Sequence, residues 1–241
     1  MKQHLTAIIL AAGLSRRMGK DNKLLLPFGE TTILEATLVS ITTARVGETL
    51  VVVGHEAEEI ASLLMSNPQF QMSDFRFEVK FPRLQPSTVK RQTKEGPLSI
   101  NAKNASFLSI LMNNHYEKGM TTTIQTGVES ASDASAGYMI CLSDMPFISP
   151  AEYQFLKEQF LLIWTKDPQA IVQPTFEGKR GNPTIFSSFY KKGILNLTYT
   201  EGCKPIVQAH QKHVYLVEMP TDSVLKDIDS KEEYTKFISN K

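Results

Sequence analysis

Residues 10–23, with the sequence LAAGLSRRMGKDNK, combine two glycines with a cluster of basic side chains. They follow residues 5–11, a short apolar run typical of a strand that is buried on both faces of a parallel sheet. A loop at the carboxyl end of such a strand directs its backbone N–H groups to the edge where ligands of open α/β sheets bind. Gly13 and Gly19 let the backbone turn and approach an anion without a Cβ in the way. We therefore predict a loop that binds polyphosphate.

Two cationic side chains strengthen this interpretation. Arg17 offers a planar fork of donors, and Lys23 offers a compact point charge. The loop is not the common phosphate-binding motif G-x-x-x-x-G-K-[ST], because Asp21 follows Lys20 where that motif has Ser or Thr. The dinucleotide fingerprint G-x-G-x-x-G is also absent from this stretch.

Three aspartates are candidate metal ligands. Asp144 directly follows the apolar residues 136–142, so its carboxylate should emerge at the same edge of the sheet as the loop and hold Mg²⁺ against a triphosphate. The alternative is that Asp144 only belongs to the first turn of a helix, since Pro146 follows it closely. Asp227 and Asp229 lie two residues apart and face opposite ways if the chain is extended, so we expect one direct ligand and favour Asp229.

The rest of the chain alternates between strand and helix patterns. Strands are predicted for residues 5–11, 49–54, 136–144, 170–174 and 213–219, and helices for residues 31–44, 56–65, 150–163 and 230–238. Thr32 and Glu35 have the spacing of a capping box at the start of the first helix. This alternation predicts an α/β fold, a three-layer sandwich with a mostly parallel, Rossmann-like sheet.

Residues 67–111 interrupt the alternation. They are rich in Lys, Arg, Pro, Ser and Thr, and we interpret them as an insert within a single domain that spans residues 1–241. Within the insert we expect a strand at residues 75–81 and a helix at residues 102–112. Its basic residues either reach an anionic substrate or, as is more common for charge runs, form a solvated loop.

Composition limits the function classes. The chain has 26 Lys and Arg against 25 Asp and Glu, so no overall field draws it to nucleic acid or to an anionic membrane. Cys141 and Cys203 are too few for a disulfide framework or a cysteine zinc site, which fits a reducing compartment. No apolar run is long enough to span a membrane, and Arg16 and Arg17 follow the first apolar run on the wrong side for a secretory signal. We expect a cytoplasmic protein.

Several segments carry a family resemblance. Residues 10–38 resemble the signature LAAG-x-S-x-RMG-x-x-K-x-x-L of the nucleotidyltransferases related to molybdenum cofactor guanylyl- and cytidylyltransferases. Ala11-Ala12-Gly13 is similar to the cytidylyltransferase branch. Further segments resemble family motifs in the same order, namely GMTTTIQTGV (119–128), LSDMPFIS (142–149), GKRGNPTIF (178–186) and DIDSKEEY (227–234). The segment TEGCKP departs from the family pattern, because an acid is missing and Lys204 replaces an arginine, which puts substrate contacts there in doubt.

The resemblance implies a role for each matching residue. The nucleotide would be bound by Leu10, Ala11, Ala12, Gly13, Ser15, Arg17, Gly19, Lys23, Thr122 and Thr123. Arg17, Lys23 and Asp144 would carry catalysis, with Mg²⁺ held by Asp144 and by Asp229 or Asp227. The second substrate would be bound by Arg180, Gly181, Asn182 and Pro183. On the residues alone, the threonines could equally be a helix cap and residues 180–183 a plain turn.

The implied reaction is Mg²⁺-dependent transfer of CMP from CTP to the terminal phosphate of molybdopterin or molybdenum cofactor, with release of pyrophosphate. The product would pass to a molybdoenzyme or its chaperone. Three alternatives stay open: a nucleotidyltransferase that uses GTP, one that uses a sugar phosphate or another phosphate acceptor, and a carrier of mature cofactor that releases no pyrophosphate. A purely structural role does not explain Arg17 and Lys23 beside two loop glycines.

Overall fold

The computed structural model describes residues 4–15, 18, 22–71, 75–80, 106–198, 200 and 202–239. Their strands are β1 (His4–Ala11), β2 (Pro27–Phe28), β3 (Thr31–Thr32), β4 (Gly47–Val53), β5 (Phe75–Lys80), β6 (Ser106–Met112), β7 (Ser135–Leu142), β8 (Ile171–Phe176), β9 (Lys179–Arg180), β10 (Thr184–Ser187) and β11 (Val214–Glu218). Their α-helices are α1 (Ile33–Thr43), α2 (Ala57–Ser66), α3 (Met120–Ser130), α4 (Pro150–Trp164), α5 (Lys191–Leu195), α6 (Lys204–Ala209) and α7 (Lys231–Ser239). No helix among these residues is both long and apolar enough to cross a membrane.

The main sheet is mixed but mostly parallel. Its strand order is β11-β8-β10-β7-β1-β4-β6-β5, and β9 pairs with β8. β1 is parallel to both β4 and β7, and the pairs β4–β6, β5–β6 and β8–β11 are also parallel. Among the described strands of the main sheet, only β9 and β10 run opposite to the common direction. β2 and β3 form a separate two-stranded hairpin.

Both faces of this sheet are covered. Leu5, Ala7 and Ile9 of β1 belong to a buried cluster shared with α1, α2 and α4, whereas Ile8 belongs to a second cluster with α3, α5 and α6. This alternation along one strand is the period-2 geometry of a strand that is buried on both sides. The predicted three-layer α/β fold is confirmed.

The predicted helix starts agree with the cap geometry. The Thr32 hydroxyl accepts the Glu35 N–H at 3.3 Å, and the Glu35 carboxylate accepts the Thr32 N–H at 2.9 Å, so the expected capping box closes α1. The other predicted strands and helices outside residues 67–111 also form, with ends that shift by a few residues.

The helix predicted for residues 102–112 is wrong, because residues 106–112 form strand β6. They lie between β4 and β5 in a parallel ladder, with Ile110 opposite Val51 on one side and Val79 on the other. Leu108 and Ile110 are fully buried, and a short, continuously apolar segment of this kind fits a strand as well as a helix until its pairing partners are known. The strand predicted at residues 75–81 is confirmed over β5. Residues 81–105 of the predicted insert lie outside the described residues.

Glu152, in the first turn of α4, joins that helix to the turn at residues 221–223. Its side chain is buried, and it accepts the hydroxyl groups of Thr221 at 2.6 Å and Ser223 at 2.7 Å. It also accepts the N–H and hydroxyl of Ser149, at 2.8 and 2.7 Å. Burial alone would raise the pKa of Glu152, but the hydrogen bonds from Ser223, Thr221 and Ser149 outweigh burial and lower it. This carboxylate therefore fixes the chain shortly before Asp227.

We predict that Glu152→Gln lowers the free energy of unfolding by about 2 kcal/mol at pH 7, because one charged acceptor is lost from a buried network. The wild-type stabilisation is complete above the ordinary pKa of 4.5 and is lost as the pH falls through the lower folded-state pKa. The difference between the two proteins should therefore shrink on acidification. Urea unfolding from pH 7 to pH 3 measures it. Glu158→Gln, on the same helix with an exposed hydrogen bond to Gln154, is the matched control. Equal stability of Glu152→Gln and wild type at pH 7 would contradict the prediction.

Candidate active site

A cleft of about 630 Å³ opens at the carboxyl edge of the sheet. It is lined by the loop after β1, the residues after β7, the turn before α3 and the chain before α7. Because β1 and β7 are parallel neighbours, the loop at residues 12–15 and the pair Ser143–Asp144 leave the sheet side by side. This is the edge at which ligands of open α/β sheets bind.

The loop after β1 leaves its backbone accessible. Gly13 is exposed, and a Cβ built on it would have no protein atom within 4 Å among the described residues. Ala12 and Ser15 line the cleft beside it, whereas Ala11 is fully buried in the core beneath. A ligand therefore has room to approach the backbone at Gly13, as the sequence predicts. Arg17 and Gly19 lie outside the described residues, and their roles stay predictions.

Lys23 begins a 3₁₀ turn, Lys23–Leu25, that Asn22 caps. The Asn22 side chain accepts the Leu24 N–H at 3.0 Å and donates to a Glu56 carboxylate oxygen at 2.7 Å. Glu56 follows β4 and has a left-handed backbone with φ of 51°. Asn22 and Glu56 thus fix the turn that presents Lys23 to the cleft. The sequence analysis missed them, although an Asn before a short apolar run is an N-cap signal.

The Lys23 ammonium joins two of the predicted metal ligands. Its Nζ donates to Asp144 Oδ2 and, at 2.6 Å, to Asp229 Oδ1. Burial alone would lower the pKa of Lys23, but the carboxylates of Asp144 and Asp229 outweigh burial and raise it. Lys23 is therefore a charged group, held by partners that are far apart in sequence.

The three predicted aspartates meet in the cleft. Each of Asp144, Asp227 and Asp229 offers an oxygen, and these oxygens all lie within 4.8 Å of one another. Asp144 is 7% exposed, and its Oδ1 has no hydrogen-bond partner within the described part of the chain. Burial raises the pKa of Asp227, and the charges of Asp144 and Asp229 raise it further. An unpaired, buried carboxylate oxygen beside two more carboxylates fits a divalent cation that prefers oxygen ligands.

Two hydrogen bonds to backbone carbonyls hold this cluster together. The Ile228 N–H donates to the Asp144 carbonyl at 3.0 Å, and the Ile228 side chain is buried, so residues 227–229 are anchored beside β7. The Ser143 hydroxyl donates to the Leu10 carbonyl at 2.7 Å and ties the end of β7 to the end of β1. Ser143 has a structural role that its sequence context does not reveal.

The threonines at the start of α3 differ in placement. Thr123 lines the cleft, as do Met120 and Leu10. The Thr122 hydroxyl accepts from the Asn113 amide at 3.0 Å and contacts the Gly119 carbonyl at 3.0 Å, so it is engaged by the turn that precedes the helix. The Thr123 hydroxyl also accepts from the Asn113 amide, at 3.1 Å, but of these two threonines only Thr123 lines the cleft.

A second pocket of about 360 Å³ adjoins the cleft and shares Leu10, Met120 and Leu142 with it. Its lining includes Arg180 and Asn182 but no Asp or Glu among the described residues. Its other polar and charged lining residues are Gln173, Thr184, Lys204, Gln208 and Gln211. A small ligand in this pocket would meet cations and amides, so the pocket favours an anion. The sequence analysis left substrate contacts at residues 200–205 in doubt, and it missed residues 207–211 as lining because α6 is too short to show a periodic pattern.

The segment at residues 180–183 is fixed by its backbone. The Gly181 N–H donates to the Pro174 carbonyl at 2.8 Å, and the Asn182 N–H donates to the Val224 carbonyl at 2.9 Å. A Cβ on Gly181 would lie 2.3 Å from the Val224 carbonyl oxygen, so only glycine fits there. Pro183 is buried, whereas Arg180 is exposed at the pocket. Two of the four predicted acceptor residues, Arg180 and Asn182, therefore line the pocket.

Solved structures with the same fold cover almost the whole chain. A nucleotidyl transferase from Methanothermobacter thermautotroptrophicus is 19% identical, with a TM-score of 0.69 over 99% of each chain. The manganese complex of Rv0371c from Mycobacterium tuberculosis H37Rv is 16% identical, with a TM-score of 0.61 over 99% of this chain and 100% of that one. The 4-diphosphocytidyl-2C-methyl-D-erythritol synthase from Anaerococcus prevotii is 13% identical, with a TM-score of 0.64 over 100% and 99%.

A search of curated protein sequences finds no match to this chain. A family model described as a MobA-like NTP transferase domain matches residues 7–78 and 88–214. The match includes the glycine loop, Lys23, Asp144 and the lining of the second pocket. The chain belongs to the MobA-like NTP transferase domain family, and it is a nucleotidyltransferase.

Proposed function

We propose that this nucleotidyltransferase transfers CMP from CTP to the terminal phosphate of a molybdopterin-type pterin and releases pyrophosphate. The observation that carries the proposal is the meeting of Lys23 with Asp144 and Asp229 beside the exposed Gly13. The resemblance of Ala11-Ala12-Gly13 to the cytidylyltransferase branch supports CTP as donor. The fold shared with a synthase whose named product carries a diphosphocytidyl group also supports it.

Mg²⁺ is the proposed metal, and Asp144, Asp227 and Asp229 would hold it. The unpartnered Asp144 Oδ1 and the three converging carboxylates support this choice. A divalent ion is also supported by the manganese complex of Rv0371c, which has the same fold. When bound, the ion supplies positive charge that stabilises the triphosphate and the departing pyrophosphate.

In the proposed reaction the residues of the chain bind the nucleotide, align the reacting groups and neutralise negative charge. Residues 12–15 line the cleft, where their backbone N–H groups would bind phosphate oxygens, and Lys23 adds a full positive charge. No general base is needed for the attacking group, because a phosphate monoester has a second pKa of about 6 and is an anion at neutral pH. Alignment of attacking and leaving groups, together with fixed cations, accelerates such a reaction.

The second pocket supports a small, anionic acceptor that lies next to the nucleotide. It shares lining residues with the cleft, and its only charged lining residues in the described chain are Arg180 and Lys204. Its volume of about 360 Å³ suits a metabolite rather than a macromolecule. Because Lys204 departs from the family pattern, a sugar phosphate or another phosphate acceptor is the second candidate.

Pyrophosphate release with each of the four NTPs, with and without molybdopterin, tests donor and acceptor together. We expect release with CTP and molybdopterin to exceed release with any other NTP at least tenfold. Release with CTP and sugar phosphates, but not with molybdopterin, would overturn the pterin assignment. Binding of molybdopterin with no pyrophosphate from any NTP would favour a carrier instead.

We predict that Lys23→Ala lowers turnover by about 100-fold or more, because a fixed cation at the triphosphate is lost. The fold should persist, since Lys23 lies at the rim of the core, and circular dichroism checks this. Lys191→Ala is the matched control, because Lys191 forms an ion pair with Asp133 that lies outside the cleft. Near-normal turnover of the Lys23 variant would count heavily against the proposal.

Metal affinity should respond in opposite directions to two substitutions. Asp144→Asn should weaken Mn²⁺ binding about tenfold or more, because a charged ligand is lost. Lys23→Ala should strengthen Mn²⁺ binding in the absence of nucleotide, because the ammonium no longer competes for Asp144 and Asp229. Isothermal titration calorimetry measures both effects. Equal affinities in wild type and both variants would show that the three aspartates do not form the metal site.

A further inference from the structure

The chain that enters α6 is fastened to the first turn of α3. The Gly202 N–H donates to the Thr121 hydroxyl at 2.9 Å. Thr121 is 2% exposed and Gly202 is buried, so solvent cannot replace this bond without local opening. Gly202 has a left-handed backbone with φ of 77°, which lets the chain turn at this point.

A second close contact joins Gly119 and Thr200, which lie two residues before Thr121 and Gly202. Gly119, directly before α3, has φ of 103°, and a Cβ on it would lie 2.9 Å from the Thr200 carbonyl oxygen. Gly119 therefore allows the chain to pass over the start of α3 at van der Waals distance. The two contacts hold Thr200 and Gly202 against the start of α3, shortly before Lys204.

The first turn of α3 serves both binding regions. Met120 and Thr123 line the cleft assigned to the nucleotide, and Met120 and Ile124 line the second pocket. Thr121 lies between them in sequence but lines neither region and points its hydroxyl at Gly202. Gly202, Cys203 and Lys204 form one side of the second pocket.

We propose that Thr121 is a positioning residue for the second substrate. Through the N–H of Gly202 it holds the backbone before Lys204, so that Lys204 and Arg180 present two cations to the anionic end of the acceptor. Lys204 is exposed. A lysine side chain loses much rotamer entropy when it is held, so a fixed backbone reduces the further entropy that is lost when the acceptor is bound. The inference rests on the proposed function, since it assigns the second pocket to the acceptor.

Thr121→Val tests this inference, because it removes the hydroxyl acceptor and keeps the size of the side chain. The KM for the phosphorylated acceptor should rise about tenfold, the effect expected when a buried N–H loses its partner. The KM for the nucleotide should stay within twofold of wild type. Thr121→Ser, which retains the hydroxyl, should restore the acceptor KM.

Thr126→Val is the matched control for the loss of a threonine hydroxyl from α3. The Thr126 hydroxyl donates to the Thr122 carbonyl of the same helix at 2.9 Å, and Thr126 lines neither the cleft nor the second pocket. This variant should keep both KM values of the wild type. A rise of the acceptor KM in Thr126→Val equal to that in Thr121→Val would overturn the positioning role.

Hydrogen exchange of the unliganded protein gives a readout that does not depend on turnover. Peptides that cover residues 202–208 should exchange faster in Thr121→Val than in wild type, Thr121→Ser or Thr126→Val. Unchanged exchange of these peptides in Thr121→Val, or equal rises of both KM values in that variant, would contradict the inference. Failure of the wild type to release pyrophosphate with any acceptor would instead contradict the proposed function. The exchange experiment would still decide whether Thr121 holds the segment at residues 202–208.

Discussion

The ion pairs of Lys23 with Asp144 and Asp229 are the interaction on which the site depends. They join residues that are 121 and 206 positions apart in the chain, and they do so in a partly buried cleft. Carboxylates brought this close repel one another unless a cation lies between them. The fold must therefore deliver Lys23 to the aspartates, and the parallel pairing of β1 with β7 delivers the loop and Asp144 to one edge.

The aspartates near the carboxyl end need a different support, because they lie in no strand. The Ile228 N–H bond to the Asp144 carbonyl holds them on one side, and Glu152 fixes the preceding turn through Thr221 and Ser223. Beyond them, Phe237 of α7 stacks on Phe28 with ring centroids 4.4 Å apart. Helix α7 thus packs on the β2–β3 hairpin that follows Lys23. The segments that carry Lys23 and Asp229 are therefore joined outside the cleft by the Phe28–Phe237 contact, as well as inside it by the ion pair.

Sequence patterns predicted the parts of this arrangement that depend on local order. Continuous apolar runs identify β1 and β7, and the rule that ligands bind at the carboxyl ends of parallel strands brings Lys23 near Asp144. An apolar run at residues 106–112 led to a wrong helix prediction, because its pairing with β4 and β5 depends on residues that are distant in the sequence. Strand β10 has four residues, too few for a period to be visible. The lining at residues 202–211 is brought to the pocket by long-range contacts, such as the bond between the Gly202 N–H and the Thr121 hydroxyl, which no spacing in the sequence indicates.

The charge balance bears on the proposal that one aspartate, Asp144, serves both a lysine and a metal. Lys23 bonds to Asp144 Oδ2, whereas Oδ1 of the same carboxylate has no partner among the described residues. Three carboxylates against one ammonium leave two formal negative charges in the cluster, which is the charge that one divalent cation neutralises. Lys23 alone therefore cannot saturate the cluster, and a divalent ion alone would leave it negative. In the proposed reaction a triphosphate would bring further negative charge, so both cations would be needed, and the loss of either would leave an excess of negative charge where pyrophosphate forms.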